Sequence, residues 1–293
     1  MDFTCLLDIR CALGESPVWD ERRETLFFID AMAPAIHAVR LDGTRLQSWP
    51  MPTLVGSIGL TDSGRLIAAL WHDLAVFDPD SGTLTPLTKL SDEPATNRLN
   101  DGKVGPDGAF WVGTMDMSKP RRPLGSLYRV KADGSIERKS AGYGVSNGLA
   151  FSPDGRKLFH SDSFFSARTI DRWTLDPSTG EIAERTRIAV LDEKAGFPDG
   201  AACDAKGNYW TAGVFGGRLH CFSSTGALVE SYPVPVPAPT MPCFCGPDLR
   251  TLVITSLRES SGNITIAPNP QSGSLFITAA PVAGTPVGRI RGL

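Results

Sequence analysis

Four oxygen-bearing side chains, Glu15, Asn100, Asn147 and Asp199, stand far apart in the sequence but at one place in a repeated word. Each lies four residues before an anchor, which is Trp19, Val104, Phe151 and Cys203 in turn. The same count back from Leu60 and Cys245 reaches Gly56 and Met241. Two carboxylates and two amides brought to one point make a site for a hard divalent cation. Ca²⁺ is the first choice, with Mg²⁺, Mn²⁺ and Zn²⁺ as alternatives, and the lack of His and Cys in the set turns preference away from zinc. A buried acid pair without metal is the other reading, since such a pair raises one pKa and fits it for acid–base work. The asparagines favour the metal, because an amide offers a carbonyl ligand and no useful proton chemistry.

The elements that must position these residues are repeats. Val18–Phe28, Leu60–Ile67, Val104–Trp111, Phe151–Phe159, Cys203–Trp210 and Cys245–Val253 each read as strand, turn, strand, and successive copies start roughly 42 to 52 residues apart. Asp-Gly and Ser-Gly supply the positive-φ turn position, and Pro presets the residue beside it. Second hairpins follow at Leu74–Thr85, Gly125–Ile136, Ile170–Ile182 and Arg218–Val229, alternating apolar and polar residues around a Gly turn. Six such units predict an all-β fold, a six-bladed β-propeller with four-stranded blades around a central channel, as one domain over residues 1–293. The segment Phe3–Arg10 precedes the first full unit and is expected to close the ring as a strand of the last blade. First strands of blades line the channel, so the six counted positions should meet at its mouth. The Gly-, Asn- and Pro-rich stretch Ser260–Ser272 reads as a surface loop, and Asn263–Thr265 within it matches a glycosylation sequon.

Composition narrows the function classes. A net charge of -3 and no basic run longer than Arg121-Arg122 argue against a nucleic-acid footprint. No window approaches the ~18 uninterrupted apolar residues of a membrane span. The first ten residues carry acids inside their only apolar run, unlike a signal peptide. Six cysteines without a CxxC pair read as buried free thiols, which places the chain in the reducing cytoplasm. The sequence sets no oligomeric state.

Two features mimic chemistry. Gly144–Gly148 fits G-x-S-x-G, the nucleophile elbow of α/β-hydrolases, yet that motif needs a strand-to-helix turn and a Pro-Asp-Gly turn and strand follow Ser146 here. Asp107-Gly and Asp154-Gly are turn residues. The basic loop Lys119–Arg122 reads as a solvated loop; its sharper reading is that Arg121 and Arg122 bind a substrate bearing a sulfonate, phosphate or carboxylate.

At these residues the sequence resembles the gluconolactonase family that includes regucalcin (senescence marker protein). The matching words are Gly14–Trp19, Asn97–Val104, Gly113–Met115, Ser146–Leu149, Pro198–Gly200, Gly216–Arg218 and Pro242–Phe244, in family order through about Ser256. The resemblance implies a six-bladed propeller that hydrolyses sugar-acid lactones with a divalent metal. It makes Glu15, Asn147 and Asp199 the metal ligands and Arg98 and Asn100 substrate contacts. One departure stands out: family members often carry acidic residues just after Gly-Thr-Met, where this chain reads Asp116 to Arg122. Either Asp116 takes that substrate-binding role or the contacts on this side differ.

The reaction so implied is metal-assisted hydrolysis of an aldono-1,5- or 1,4-lactone, neutral or anionic, to the free aldonic acid. Asp199 is the candidate general base, with a hydroxide generated at the metal as the alternative. A non-catalytic calcium-binding or interaction propeller is the rival class. A broader-specificity esterase is a third reading.

Overall fold

Apolar–polar alternation around glycine turns gives antiparallel strands, and the computed structural model, which describes residues 1–258 and 267–293, arranges them in six sheets. The fold is a six-bladed β-propeller. Inner strands are Gly14–Asp20, Val55–Thr61, Asn97–Val104, Ser146–Phe151, Phe197–Cys203 and Pro239–Cys245, one for each blade in chain order. In blades 1 to 5 each strand pairs with the next in sequence, running outward from the channel. Blade 6 takes its outermost strand from the N-terminus: Thr4–Leu7 pairs antiparallel with Leu275–Ala279, Thr4 opposite Ile277. That strand covers an edge that would otherwise stand open between first and last blades.

Burial falls off outward. The third strand of blade 3, Gly125–Val130, is buried throughout, whereas the fourth strand of blade 4, Ile182–Val190, is mostly exposed. Between blades the sheets are sealed by apolar layers such as Phe27, Ile29, Ile58, Leu66 and Phe77, and Trp210, Leu252, Ile254 and Phe276. The turn residues act as the sequence requires: Gly108 and Gly155 have φ of 75° and 69°, and Asp154 Oδ1 accepts the Arg156 amide at 3.1 Å. The six cysteines are free; five are buried and Cys5 is exposed, against the expectation that all would be buried. The sequon at Asn263–Thr265 lies outside the described residues, as does part of the Ser260–Ser272 stretch.

Blade 2 departs from the four-stranded expectation. A C-terminal strand, Arg289–Ile290, pairs in parallel with Val55–Thr61, Arg289 opposite Leu60. Before it, Gly284 bridges Asp204 and the Thr285 amide donates to Cys203 O at 2.9 Å. These contacts fall at the far ends of the inner strands, so the tail crosses the ring on the face opposite the mouth. Its anchor is Arg289, whose Nη2 donates to Asp20 Oδ1 at 2.6 Å and Glu21 Oε2 at 3.0 Å. Asp20 is 1% exposed. Removing Arg289 leaves the buried Asp20 with only the more distant Arg23, 3.8 Å away, so Arg289→Ala is expected to cost about 2 kcal/mol in urea unfolding. A loss under about 1 kcal/mol would make the tail an ornament rather than a strap.

Candidate active site at the channel mouth

Every inner strand breaks its pairing at the same height. The register slips between Glu15 and Val18, Val55 and Ser57, Leu99 and Gly102, Asn147 and Ala150, Pro198 and Ala201, and Pro239 and Pro242. All six counted positions sit at or inside these bulges. A bulge bends the strand and re-aims a side chain that would otherwise follow the pleat. The inner strands also crowd: a Cβ on Gly56 would come within 2.5 Å of Leu99 O, and Gly148, at φ 63°, would meet the Tyr209 hydroxyl. Glycine is what lets these neighbours close up.

Three of the polar positions form a chain across blades 3, 4 and 5. Asn100 Nδ2 donates to Asn147 Oδ1 at 2.5 Å, and Asn147 Nδ2 donates to Asp199 Oδ1 at 2.5 Å and to Ser163 Oγ at 2.8 Å. Glu15, across the channel, is near enough for the Asp199 charge to act on it. Burial, then the charges of Asp199 and Asp101, holds the Glu15 carboxyl well above its ordinary range. Burial and then Asp101 do the same to Asp199. Arg98 stands beside them, 5% exposed, with Nη1 donating to Leu99 O at 2.8 Å. Glu15, Asn100 and Asp199 are only half-buried and open to the mouth.

The basic loop divides its residues. Asp116 is fully buried and accepts from Ser118 Oγ, from the Arg122 amide at 2.9 Å and from Arg122 Nε at 3.0 Å. Burial alone would raise its pKa, but the Arg122 and Ser118 hydrogen bonds outweigh that and hold it far below the usual carboxylate range. The structure therefore places Asp116 and Arg122 in a pair that folds the loop. Arg121 turns the other way, with Nε donating to the main-chain oxygen of Asp116 at 2.9 Å.

The elbow-like Ser146 is also accounted for. It is fully buried, its hydroxyl lies 2.7 Å from His160 Nε2, and a strand pair surrounds it. Burial pushes His160 down to about 3, so the ring is neutral. Neither group reaches the mouth.

The family model for the SMP-30/Gluconolactonase/LRE-like region matches residues 13–258, which hold all of these positions. The chain belongs to that family. It is 34% identical to the 6-deoxy-6-sulfogluconolactonase of Pseudomonas putida over 281 residues, covering 96% of this chain and 95% of that one. It is 33% identical to the L-arabinolactonase of Azospirillum brasilense over 292 residues, with 99% and 95% covered. Among solved structures it resembles a calcium-binding regucalcin from Agrobacterium tumefaciens, with a TM-score of 0.89, 28% identity, and 98% and 96% of the two chains covered.

In this family member the one-residue-per-blade count passes over three groups that complete the site. Asp101, next to Asn100, is 6% exposed and accepts the Leu149 amide at 3.0 Å. Lys103 reaches under the cluster, Nζ donating to Ala201 O at 2.5 Å. Its charge opposes the rise that burial imposes on Asp101. Ser163 Oγ links Asn147 to Pro198 O at 2.5 Å. Asp101 and Lys103 lie in the Asn97–Val104 word, from which the count takes only Asn100; Ser163 had no signal.

The donor set fits a divalent cation. Glu15 and Asp199 repel each other in a recess that Asp101 makes still more negative, and Arg98 and Lys103 are the cations the structure gives them. A doubly charged ion offsets that excess with the oxygen ligands it prefers. As the hydrogen bonds stand, Asn147 turns its nitrogen to Asp199 and its oxygen to Asn100; a cation between Asn147 and Asp199 would need the Asn147 amide turned over, at the cost of the Asn100 bond.

Proposed function

We propose that this protein hydrolyses the ring ester of a sugar-acid lactone, with one divalent cation, Ca²⁺ in the first instance, held by Glu15, Asn147 and Asp199. The observation that carries the reading is the meeting of those three side chains with Arg98 and Asn100 at one end of the channel. The family supports it, since relatives at 33–34% identity are named for sulfogluconolactone and arabinolactone hydrolysis. The five buried free thiols suit a reducing cytoplasm.

A cation held by Glu15, Asn147 and Asp199 would supply Lewis-acid polarisation of the lactone carbonyl. Asp199 takes the proton of the water that attacks the carbonyl carbon. The cation that Asp199 would hold favours its ionised form, which leaves the carboxylate anionic and able to accept that proton. The acyl C–O bond of the ring breaks, and the ring oxygen takes the proton back from Asp199 to become a hydroxyl of the open-chain acid, which returns the carboxylate to its starting state. Arg98 and Asn100 orient the substrate, and Asn147 exchanges its bond to Asn100 for the cation. Ser163 braces the other end of that amide.

The test is acid release from a panel of aldonolactones in a pH-indicator assay, before chelation, after it and after metal add-back. We expect activity that chelation abolishes and a divalent ion restores. Cation binding without turnover of any lactone would instead support the non-catalytic propeller.

A further inference from the structure

Two guanidinium groups lie near each other by the mouth, and neither is in a salt bridge among the described residues. Arg98 is almost fully buried and its Nε has no hydrogen-bond partner. Strand pairing sets Arg98 opposite Met115 and Asn97 opposite Asp116. The Asp116 carbonyl that holds Arg121 is therefore one residue from the position facing Arg98. Among the described residues no carboxylate lies within ion-pairing distance of either side chain, and Asp116 is committed to Arg122.

Arg129, the other arginine buried this deeply, differs, as do some partly buried ones. Arg129 pairs with Asp107 and Glu137, Arg289 with Asp20 and Glu21, Arg185 and Arg187 with Asp171. Burial and then the charge of Arg121 lower Arg98 to about 10, so the two cations feel each other. Glu15 and Asp199 pull on Arg98 from the channel side. A divalent ion between those carboxylates would cancel that pull and leave the arginine pair without a counter-charge. Like charges drawn together in a recess call for an anion, and guanidinium forks bind sulfonate, carboxylate and phosphate oxygens through paired N–H donors.

We propose that Arg98 and Arg121 form an anion subsite at the channel mouth, and that the lactone taken here carries a negatively charged group on the sugar chain outside the ester ring. This rests on the lactonase reading and names its substrate class. Arg122, tied to Asp116, positions the loop that carries Arg121.

The experiment compares glucono-1,5-lactone with its 6-sulfonate, 6-phosphate and 6-carboxylate counterparts, using the metal-loaded full chain. At least one anionic lactone should exceed the neutral one about tenfold in kcat/KM. The best of the three identifies the group. Arg121→Gln should shrink that ratio about tenfold, mainly through KM for the anionic lactone, and Arg121→Lys should restore part of it. Added salt should raise KM for the anionic lactone much more than for the neutral one. Hydrolysis of the neutral lactone with a wild-type ratio near one, or an equal fall on both lactones in Arg121→Gln, overturns the subsite and leaves the lactonase reading standing. Inertness toward every lactone overturns both.

Discussion

Replacing Asp199 by Asn is expected to cut lactone turnover by about 10³-fold while leaving the metal-free fold at least as stable as the parent. The two effects have one cause. Asp199 is forced to sit with Glu15 and Asp101 in a recess where burial and then the charge of Asp101 oppose ionisation. An amide of the same shape retains an oxygen for the Asn147 bond, now 2.5 Å, and removes the repelled charge. Relief of that repulsion is worth on the order of 1 kcal/mol in chelated protein. The same substitution takes away the proton acceptor and one of two carboxylate ligands. Turnover from the pH-indicator assay and melting in chelator check the pair of outcomes. Activity and stability falling together would make Asp199 part of the scaffold; activity unchanged would remove it from the chemistry.

The propeller was legible because its turns are written out. Asp-Gly, Ser-Gly and Pro-Asp punctuate strands whose alternation has one meaning, and six copies leave little freedom in the architecture. The N-terminal closing strand followed from the need to cover an edge. The C-terminal strand did not, since Arg289–Ile290 is two residues long and has no period to read. What fixes it is tertiary: the buried Asp20 that Arg289 reaches across 269 positions of sequence.

At the mouth, the count from the anchors brought Glu15, Asn100, Asn147 and Asp199 to one depth without knowledge of the bulges. The count works because each bulge falls at the same place in its strand. It also hid Asp101 and Lys103, since it assigns one residue to each blade while a bulge turns neighbours inward as well. In the basic loop, Arg121 and Arg122 are adjacent and chemically identical in the sequence. Only the fold separates them, because the Asp116 carboxylate captures one and its carbonyl the other.

The cation itself should be visible in unfolding before any substrate is added. A ligand that binds only the native state stabilises it by RT ln(1 + [L]/Kd), about 2.7 kcal/mol at a hundred times Kd. The wild-type melting point should therefore climb with the concentration of Ca²⁺, Mg²⁺, Mn²⁺ or Zn²⁺, and the ion that acts at the lowest concentration is the one the site prefers. Glu15→Gln should flatten the response. It halves the carboxylate charge among the ligands and leaves a neutral oxygen in place of an anionic one, which weakens a hard-cation site more than any change outside it. In chelator the order reverses. Burial and the charges of Asp199 and Asp101 hold the Glu15 carboxyl well above its ordinary range, so the neutral variant should melt no lower than the parent. Lactone turnover in Glu15→Gln should fall about 100-fold or more, with part of it recovered at high cation concentration. Melting curves that ignore all four ions would take the metal out of this site and leave Glu15 and Asp199 as an acid pair. A crossing of the two stability orders, parent above variant with metal and below it without, is the pattern that carboxylates brought together to hold a cation must produce.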